Sequence, residues 1–111
     1  MKRAEVWWIN FDPSVGTEIR KRRPAIIVSN NAANAHLPRV TVVPVTSNMS
    51  RIYASEVIVT IDEDSGATSQ SKAIANQLQT VDRSRIVSLM GRLSREEMSK
   101  VNAILRTHLG L

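Results

Sequence analysis

The sequence contains no cysteine, and this absence excludes several classes of protein. A disulfide scaffold, a thiolate nucleophile and a cysteine-ligated zinc site are all ruled out, and the composition fits a reducing compartment. No apolar run approaches the roughly 20 residues that a membrane-spanning helix needs. The basic N-terminus is interrupted by Glu5 and Asn10, so it lacks the apolar core of a secretory signal. We therefore expect a cytoplasmic protein with no membrane partner.

Motifs for binding metals and nucleotides are also missing. His36 and His108 are isolated, with no HExxH around either, and the acidic run 62–64 lacks the spacing of a calcium loop. The sequence contains neither GxxxxGK[ST] nor GxGxxG, so we expect no metal and no cofactor. Two histidines in a basic protein also raise acid–base ribonuclease chemistry. His108 is better explained as a cation near a helix end, where it complements the helix dipole.

What the sequence does contain is a concentrated positive charge. Its 111 residues carry a net charge of +5. The whole excess lies in residues 1–55, where eight lysines and arginines face three acidic residues. Half of these basic residues are consecutive, at positions 20–23. A localised basic patch indicates a polyanionic partner, and we favour nucleic acid over the alternative that the charge only confers solubility.

Hydrophobic patterns predict a chain made mostly of short strands. Pro24 marks the start of the second strand, and Pro44 indicates an edge or a bulge within the third. The polar stretches 14–22 and 31–39 are predicted loops. β-Branched and aromatic runs bounded by turn residues predict strands at 6–11, 25–30, 40–48, 55–61, 71–81 and 84–93.

Residues 94–111 predict an amphipathic helix. Ser94 and Glu97 are spaced as a capping box, in which each side chain accepts a hydrogen bond from the other residue's backbone N–H. Gly110 is suited to end the helix. An apolar face follows helical spacing at Met98, Val101, Ile104, Leu105 and Leu109. The predicted fold is a single domain over residues 1–111, mostly β with one C-terminal helix, and the short strands suggest a small barrel.

Residues with chemical potential gather around the basic stretch. Arg23 precedes Pro24, so its backbone favours an extended conformation, and its guanidinium is a fixed fork of donors for phosphate oxygens. Thr46 and Ser47 end the third strand with hydroxyls that could meet the same anion, and Glu18 lies in the loop before Arg23. From the residues alone, an alternative stays open in which none of these residues is catalytic. Arg23 would then be a charge at the rim of the sheet, Thr46 a hydroxyl at a strand end and Glu18 an ion-pair partner.

An ordered set of motifs along nearly the whole chain resembles the MazF/PemK/Kid family of toxin endoribonucleases. The segments are RAEVWWINFDPSVGTEIRKRRPAIIVSNN, VTVVPVTSN, NQLQTVD and GRLSREEM, followed by the terminal helix. The family shows an R-G-E-[IV]-W start, a D-P-x-x-G-[ST]-E loop, R-P before an apolar strand, P-[IV]-T-S at a strand end and a Q-[IV]-[RK]-[TS]-[IV]-D segment. Each piece is weak alone, but their order and spacing are specific.

The resemblance implies an SH3-like β-barrel, usually a homodimer, that cleaves single-stranded RNA at short sequences without a metal. It also implies an antitoxin partner whose acidic, flexible tail fills the RNA groove. The family's catalytic arginine and threonine fall on Arg23 and Thr46, and its loop glutamate falls on Glu18. RNA contacts are expected at Thr17, Lys21, Arg22, Ser47, Gln77 and Gln79.

The sequence departs from the family pattern at a few positions. Ala4 replaces the usual glycine of R-G-E, a change that we expect to matter little. Asn76 and Gln79 stand where the family frequently has an acidic and a basic residue, respectively. Because both lie in the segment that resembles the RNA groove, a target sequence cannot be transferred from relatives.

The resemblance predicts attack by the RNA's own 2′-OH, which gives a 2′,3′-cyclic phosphate, or its hydrolysis product, and a 5′-OH end. Arg23 would stabilise charge on the phosphorane, Thr46 would bind the scissile phosphate and Glu18 would act as the base. Trp7 and Trp8 are left outside the predicted site, because a tryptophan in VWWINF is more often part of a core. Two alternatives stay open: a non-catalytic toxin of this fold that inhibits a protein such as DNA gyrase, and a passive RNA-binding barrel.

Overall fold

The computed structural model describes residues 1–111 as seven strands and two helices, joined in part by short 3-10 turns. No helix is both long and apolar enough to cross a membrane. The strands are β1 (Glu5–Asn10), β2 (Arg22–Ile27), β3 (Arg39–Thr46), β4 (Glu56–Glu63), β5 (Thr68–Ile74), β6 (Gln79–Asp82) and β7 (Ile86–Arg92). The helices are α1 (Asn31–His36) and α2 (Arg95–Leu109).

The sheet is antiparallel throughout and closes on itself. Its strand order is β2-β1-β7-β4-β5-β3, and β3 pairs back with β2, so six strands form a ring. The seventh strand, β6, pairs with β3 outside this ring. The ring is the small barrel that the sequence predicts, and the prediction of a mostly β protein with a C-terminal helix is confirmed.

Strand alternation divides the apolar side chains between two clusters. In β2, Ile26 joins one cluster and Ile27 the other, because successive side chains of a strand point to opposite faces. The inner cluster, inside the ring, consists of Val6, Ile26, Val43, Val45, Val59, Ile61, Ala73, Leu93, Met98 and Val101. The outer cluster consists of Ile9, Phe11, Ala25, Ile27, Val40, Val42 and Val81. Since α2 supplies Met98 and Val101, burial of its apolar face fixes the helix against the ring.

The predicted loop 31–39 is wrong at its start, because residues Asn31–His36 form α1. The side chain of Asn30 caps this helix by accepting a hydrogen bond from the backbone N–H of Ala33 (2.8 Å). Asn34 is only 1% exposed and donates to the backbone carbonyl of Ser29 (2.9 Å). One cap and one buried amide hold this short helix, so it has none of the apolar periodicity that sequence patterns detect.

The predicted strand 71–81 is two strands. A 3-10 turn at Ala75–Gln77 separates β5 from β6, and it moves the chain from the ring to the outer side of β3. The strand that pairs with this edge of β3 changes along β3. Strand β6 pairs with β3 as far as Val42, and β5 pairs with β3 from Val45 onward. Pro44 falls in this gap, where its missing N–H costs no hydrogen bond with either strand. The prediction of an edge or a bulge at Pro44 is wrong, because β3 is paired on both sides and Pro44 lies where its partner strand changes.

Helix α2 is capped as predicted at both ends, with one correction. Ser94 accepts from the backbone N–H of Glu97 (3.2 Å), and Gly110 ends the helix with φ 72°. Glu97 does not reach back to Ser94; its carboxylate accepts from the backbone N–H of Thr60 (2.9 Å) and from Lys100. Burial alone would raise the pKa of Glu97, but these hydrogen bonds hold it below its usual value. Because the pKa is lowered on folding, this attachment of α2 to β4 stabilises the protein above the ordinary glutamate pKa and is lost as the pH falls through the lowered value.

The backbone at Ala4 corrects the expectation that its departure from glycine matters little. Its φ is 78°, in the left-handed region, and hydrogen bonds to Ile27 and from Leu93 fix it there. We expect Ala4→Gly to raise the free energy of unfolding by about 1 kcal/mol, because relief of the Cβ strain outweighs the entropy that glycine loses. Urea denaturation measures this. Ala103→Gly, at an exposed site in α2, is the matched control and should lower stability by about 1 kcal/mol. A loss of stability in both variants would contradict the assignment of strain.

Gly91 lies where β7 meets β4 and the ring closes. A Cβ at this position would lie 2.8 Å from the Cα of Glu63 and closer still to the carbonyl oxygen of Asp62. Both are backbone atoms, so the strands themselves would have to separate. We expect Gly91→Ala to lower the free energy of unfolding by about 2–3 kcal/mol, measured by urea denaturation. Ser88→Ala, exposed on the same strand, should change it by less than about 0.5 kcal/mol. Equal effects of the two substitutions would contradict a tight contact at Gly91.

Candidate active site

The pairing of β2 with β3 brings Arg23 and Thr46 together. The observed register sets Ala25 opposite Pro44 and Ile26 opposite Val43. This pairing ends at Ala25 and Pro44, and Arg23 and Thr46 lie two residues or fewer beyond it on the two strands. The two residues that the sequence suggested for one anion therefore lie at neighbouring strand ends.

These residues border a pocket of about 240 Å³ at one end of the ring, which we call the barrel-mouth pocket. All six strands of the ring contribute to its lining. Among the predicted residues, Arg22, Arg23, Thr46 and Ser47 line it. Arg23 belongs to β2, which begins at Arg22 and so starts before the predicted boundary at Pro24. Both arginines are thus held by strand pairing to β1 and not by a loose loop.

The polar groups at this pocket are available to an incoming anion. The side chains of Arg22 and Arg23 are exposed and take part in no hydrogen bond or ion pair within the chain. Thr46 accepts a hydrogen bond from the backbone N–H of Asn48 (3.2 Å), which leaves its own hydroxyl hydrogen free to donate. Two guanidinium groups and a donating hydroxyl form a site that suits phosphate oxygens.

A second set of predicted residues lies along a neighbouring groove, the loop groove, between the β1–β2 loop and residues 76–79. Thr17, Glu18, Gln77 and Gln79 line it. The side chain of Gln77 accepts from the backbone N–H of Ile19 (3.3 Å) and so links the loop to the ring. The carboxylate of Glu18 accepts from the backbone N–H of Val15 (2.8 Å). The structure does not bring Glu18 into the barrel-mouth pocket.

Lys21 lines neither the pocket nor the groove. Its φ is 65°, and its backbone N–H donates to the carboxylate of Asp12 (3.0 Å) while its carbonyl accepts from Phe11 (2.8 Å). These hydrogen bonds fix the base of the β1–β2 loop, and Arg85 adds donors to the carbonyls of Asn10 and Asp12. The loop therefore leaves the sheet in a defined direction beside Arg22.

The far end of the loop groove is acidic. Glu18 and Asp82 line one cavity of about 170 Å³ there, together with Arg85. The pKa of Asp82 is lowered, first by the hydrogen bond that its carboxylate accepts from the backbone N–H of Ser84 (2.8 Å). Asp82 therefore stays ionised near neutral pH. No group of three or more histidine, aspartate or glutamate side chains is placed to hold a metal ion.

Several residues of the barrel-mouth pocket were not predicted. Trp8, Glu63, Ser69 and Met90 line it. Trp8 shares the inward face of β1 with Val6, whereas the indole of Trp7 packs against the outer cluster. The sequence predicts that the fourth strand ends at residue 61, before the acidic run 62–64, but β4 continues to Glu63. Extending the alternation of Val59 and Ile61 by two residues would have shown that Glu63 faces into the ring.

Beside Thr46, a buried ion pair secures the chain that follows β3. Lys72 lies opposite Thr46 in the β3–β5 register, and its Nζ is 3.1 Å from the carboxylate of Glu56. The same ammonium donates to the backbone carbonyl of Arg51 (2.7 Å). The side chains of Lys72 and Glu56 are only 10% and 8% exposed. The ion pair thus ties the 47–55 loop to β5 next to the predicted catalytic threonine.

The fold and the site define a small, basic β-barrel protein with an arginine-lined pocket at one end of its ring. Comparison with known proteins gives the family: residues 2–109 match the PemK-like, MazF-like toxins of type II toxin–antitoxin systems. The endoribonuclease MazF9 of Mycobacterium tuberculosis is 36% identical over 116 residues, an alignment that covers 100% of this chain and 98% of MazF9. The chain belongs to the PemK/MazF toxin family, and the prediction of a toxin endoribonuclease of this family is confirmed.

Solved structures show the same architecture. MazF from Deinococcus radiodurans superimposes with a TM-score of 0.82 at 28% identity, over 100% of this chain and 97% of that one. A MazE–MazF crystal structure from the same organism gives a TM-score of 0.73 at 25% identity, over 100% of this chain and 96% of that one. The barrel and its C-terminal helix are therefore the fold of MazF toxins.

Proposed function

We propose that this protein cleaves single-stranded RNA at specific short sequences, with the scissile phosphate bound at the barrel-mouth pocket. The observation that carries the proposal is that Arg23 and Thr46 line one pocket at neighbouring strand ends, beside a second arginine that has no partner within the chain. Polar groups placed to meet a phosphate, in a family of toxin endoribonucleases, support phosphodiester cleavage over passive binding.

In the proposed reaction the RNA supplies its own nucleophile. The 2′-OH attacks the adjacent phosphorus, the bond from phosphorus to the 5′ oxygen breaks, and this oxygen takes up a proton from water, so that the products are a 2′,3′-cyclic phosphate and a 5′-OH. Arg23 stabilises the negative charge that develops on the phosphorane oxygens and donates hydrogen bonds to them. Its guanidinium does not lose a proton near neutral pH, so Arg23 is not the base. Thr46 donates its free hydroxyl hydrogen to a non-bridging oxygen.

Glu18 is the proposed acceptor of the 2′-OH proton. Its carboxylate lies in the loop groove and accepts the N–H of Val15, so this step requires the β1–β2 loop to move toward the barrel-mouth pocket when RNA binds. The contacts of Lys21 and Arg85 hold the base of that loop, and the hydrogen bond from Ile19 to Gln77 (3.3 Å) would have to break for Glu18 to move. Movement of the loop tip is compatible with a fixed Arg23.

RNA on either side of the scissile bond would follow the barrel-mouth pocket and the loop groove. Arg22 and Lys21 attract the phosphate backbone, which makes binding sensitive to salt. Ser47 lies beside the scissile phosphate, and the side chains of Thr17, Gln77 and Gln79 are placed to meet bases in the loop groove. We propose that the protein acts in the cytoplasm as a homodimer. Its antitoxin would cover the basic surface with an acidic, flexible segment, as the net charge of +5 favours.

The test is incubation of purified protein with single-stranded RNA that contains every short sequence, in the presence of EDTA. We expect cleavage at a few fixed sites, with 5′-OH and cyclic-phosphate ends mapped by sequencing. Thr46→Val protein, purified in parallel, controls for contaminating ribonuclease and should cut more slowly at every site. RNA that stays intact would overturn the ribonuclease and favour inhibition of a protein target.

A further inference from the structure

The mechanism leaves four polar side chains of the barrel-mouth pocket unused: Glu63, Ser69, Gln70 and Ser71. Glu63 and Ser69 stand out among them. Glu63 follows Val59 and Ile61 on the inward face of β4, and Ser69 lies opposite Ile61 on β5. The two residues are therefore diagonal neighbours at the mouth of the ring, on the opposite side of the sheet from the face that carries Arg23 and Thr46. Both line the same pocket as that pair.

Neither side chain has a partner within the protein. The hydroxyl of Ser69 is the single buried side-chain polar atom that makes no hydrogen bond. Glu63 is half-buried, and its carboxylate takes part in no hydrogen bond or ion pair. Buried polar groups are nearly always paired, so an unpaired hydroxyl beside an unpaired carboxylate in a pocket wall indicates a ligand with complementary polar groups.

The remaining wall of the pocket suits a flat, aromatic ligand. Trp8 and Met90 line it, with Pro24 opposite Trp8 in the β1–β2 register. Indole faces stack nucleobases of single-stranded RNA with little regard to sequence. The polar edge would then decide which base is accepted, because base edges carry the sequence information.

We infer that the barrel-mouth pocket also binds one nucleobase of the RNA, next to the scissile phosphate, and that Glu63 and Ser69 select guanine. The two carboxylate oxygens of Glu63 accept from guanine N1–H and N2–H, and the buried Ser69 hydroxyl donates to guanine O6 after rotation about its Cα–Cβ bond toward the pocket. Uracil offers a single N–H flanked by two carbonyls that repel the carboxylate, and adenine and cytosine each lack one of the adjacent donors. This inference rests on the proposed function, since it names a specificity subsite of the same active site.

The first experiment compares cleavage of a randomised RNA library by wild type, Glu63→Gln and Ser69→Ala. Wild type is expected to require guanine at one fixed position adjacent to the cut. Glu63→Gln should reduce that preference at least about tenfold, because an amide has one acceptor oxygen where the carboxylate has two. Ser69→Ala should weaken it less. Asp62→Asn makes the same change of charge on the exposed face of β4 and should leave the preference unchanged.

The second experiment changes only the substrate, so it does not depend on a variant that folds. Inosine in place of the guanine removes the N2 amino group and should slow cleavage by wild type at least about tenfold. A 7-deazaguanine substitution alters an edge that Glu63 and Ser69 do not face, and it should have no effect.

The outcomes separate the two proposals. Absence of cleavage by wild type overturns the proposed function and this subsite with it. Cleavage that shows no guanine requirement, or a requirement that Glu63→Gln leaves intact, overturns the subsite alone. A uniform loss of cleavage at all sites in Glu63→Gln would place Glu63 in the chemistry and also overturn its role in base selection.

Discussion

Replacement of Arg23 by alanine is expected to slow RNA cleavage by about two to three orders of magnitude, because it removes the donor that meets developing charge on the phosphorane. The side chain is exposed and has no partner within the protein, so its loss should not change the free energy of unfolding by more than about 0.5 kcal/mol. Single-turnover cleavage of one mapped site, with protein in excess of RNA, measures the chemical step.

Two matched variants sharpen the result for Arg23. Arg23→Lys keeps the charge but loses the planar fork of donors, so it should recover only part of the rate. Arg22→Ala removes the same charge from the preceding residue, whose side chain points to the opposite face of β2. It should weaken binding and reduce its salt dependence while leaving the single-turnover rate at saturation near that of wild type. Cleavage by Arg23→Ala within tenfold of wild type would rule out Arg23 as the main catalytic group.

Lys72→Met is expected to lower the free energy of unfolding by about 3–5 kcal/mol, because it leaves the buried carboxylate of Glu56 without its partner. Urea denaturation of wild type and variant at pH 7 measures this loss.

The controls for Lys72 separate a buried ion pair from a surface one. Lys100→Met removes the partner of Glu97 at 3.0 Å, but the side chain of Lys100 is 47% exposed, so the cost should be at most about 1 kcal/mol. Addition of Glu56→Gln to Lys72→Met should restore part of the lost stability, because the amide carries no charge. Equal costs for the two lysine substitutions would show that burial does not strengthen the Lys72–Glu56 pair.

Local patterns predicted those parts of the fold in which the residues themselves decide the conformation. The strand at VWWINF and the capped helix after Ser94 follow from propensity, periodicity and capping. The helix at Asn31–His36 could not be predicted in this way, because a buried amide, Asn34, holds it through tertiary contacts. The break at Ala75–Gln77 was missed for a related reason: it is the point where the chain leaves one partner strand for another, which no local pattern records.

The candidate site divides in the same way. Arg23 could be predicted because it precedes Pro24 at the start of an apolar strand, and Thr46 because it ends the strand that contains Pro44. Their proximity required the β2–β3 pairing, which is a long-range contact. Glu63 was missed because the strand boundary was placed too early at the acidic run. The position of Glu18 depends on hydrogen bonds within its own loop, and sequence spacing does not specify those.

Closure of the ring requires β7, because this strand alone joins β1 to β4. During translation, a chain that has not yet emerged through residues 86–92 has no strand to complete the barrel mouth. Contacts between strands far apart in the chain form late, so Arg23 and Thr46 gain a finished pocket only after residues 86–92 have emerged. A chain that ends before β7 would carry the arginine and the threonine without the pocket that they line.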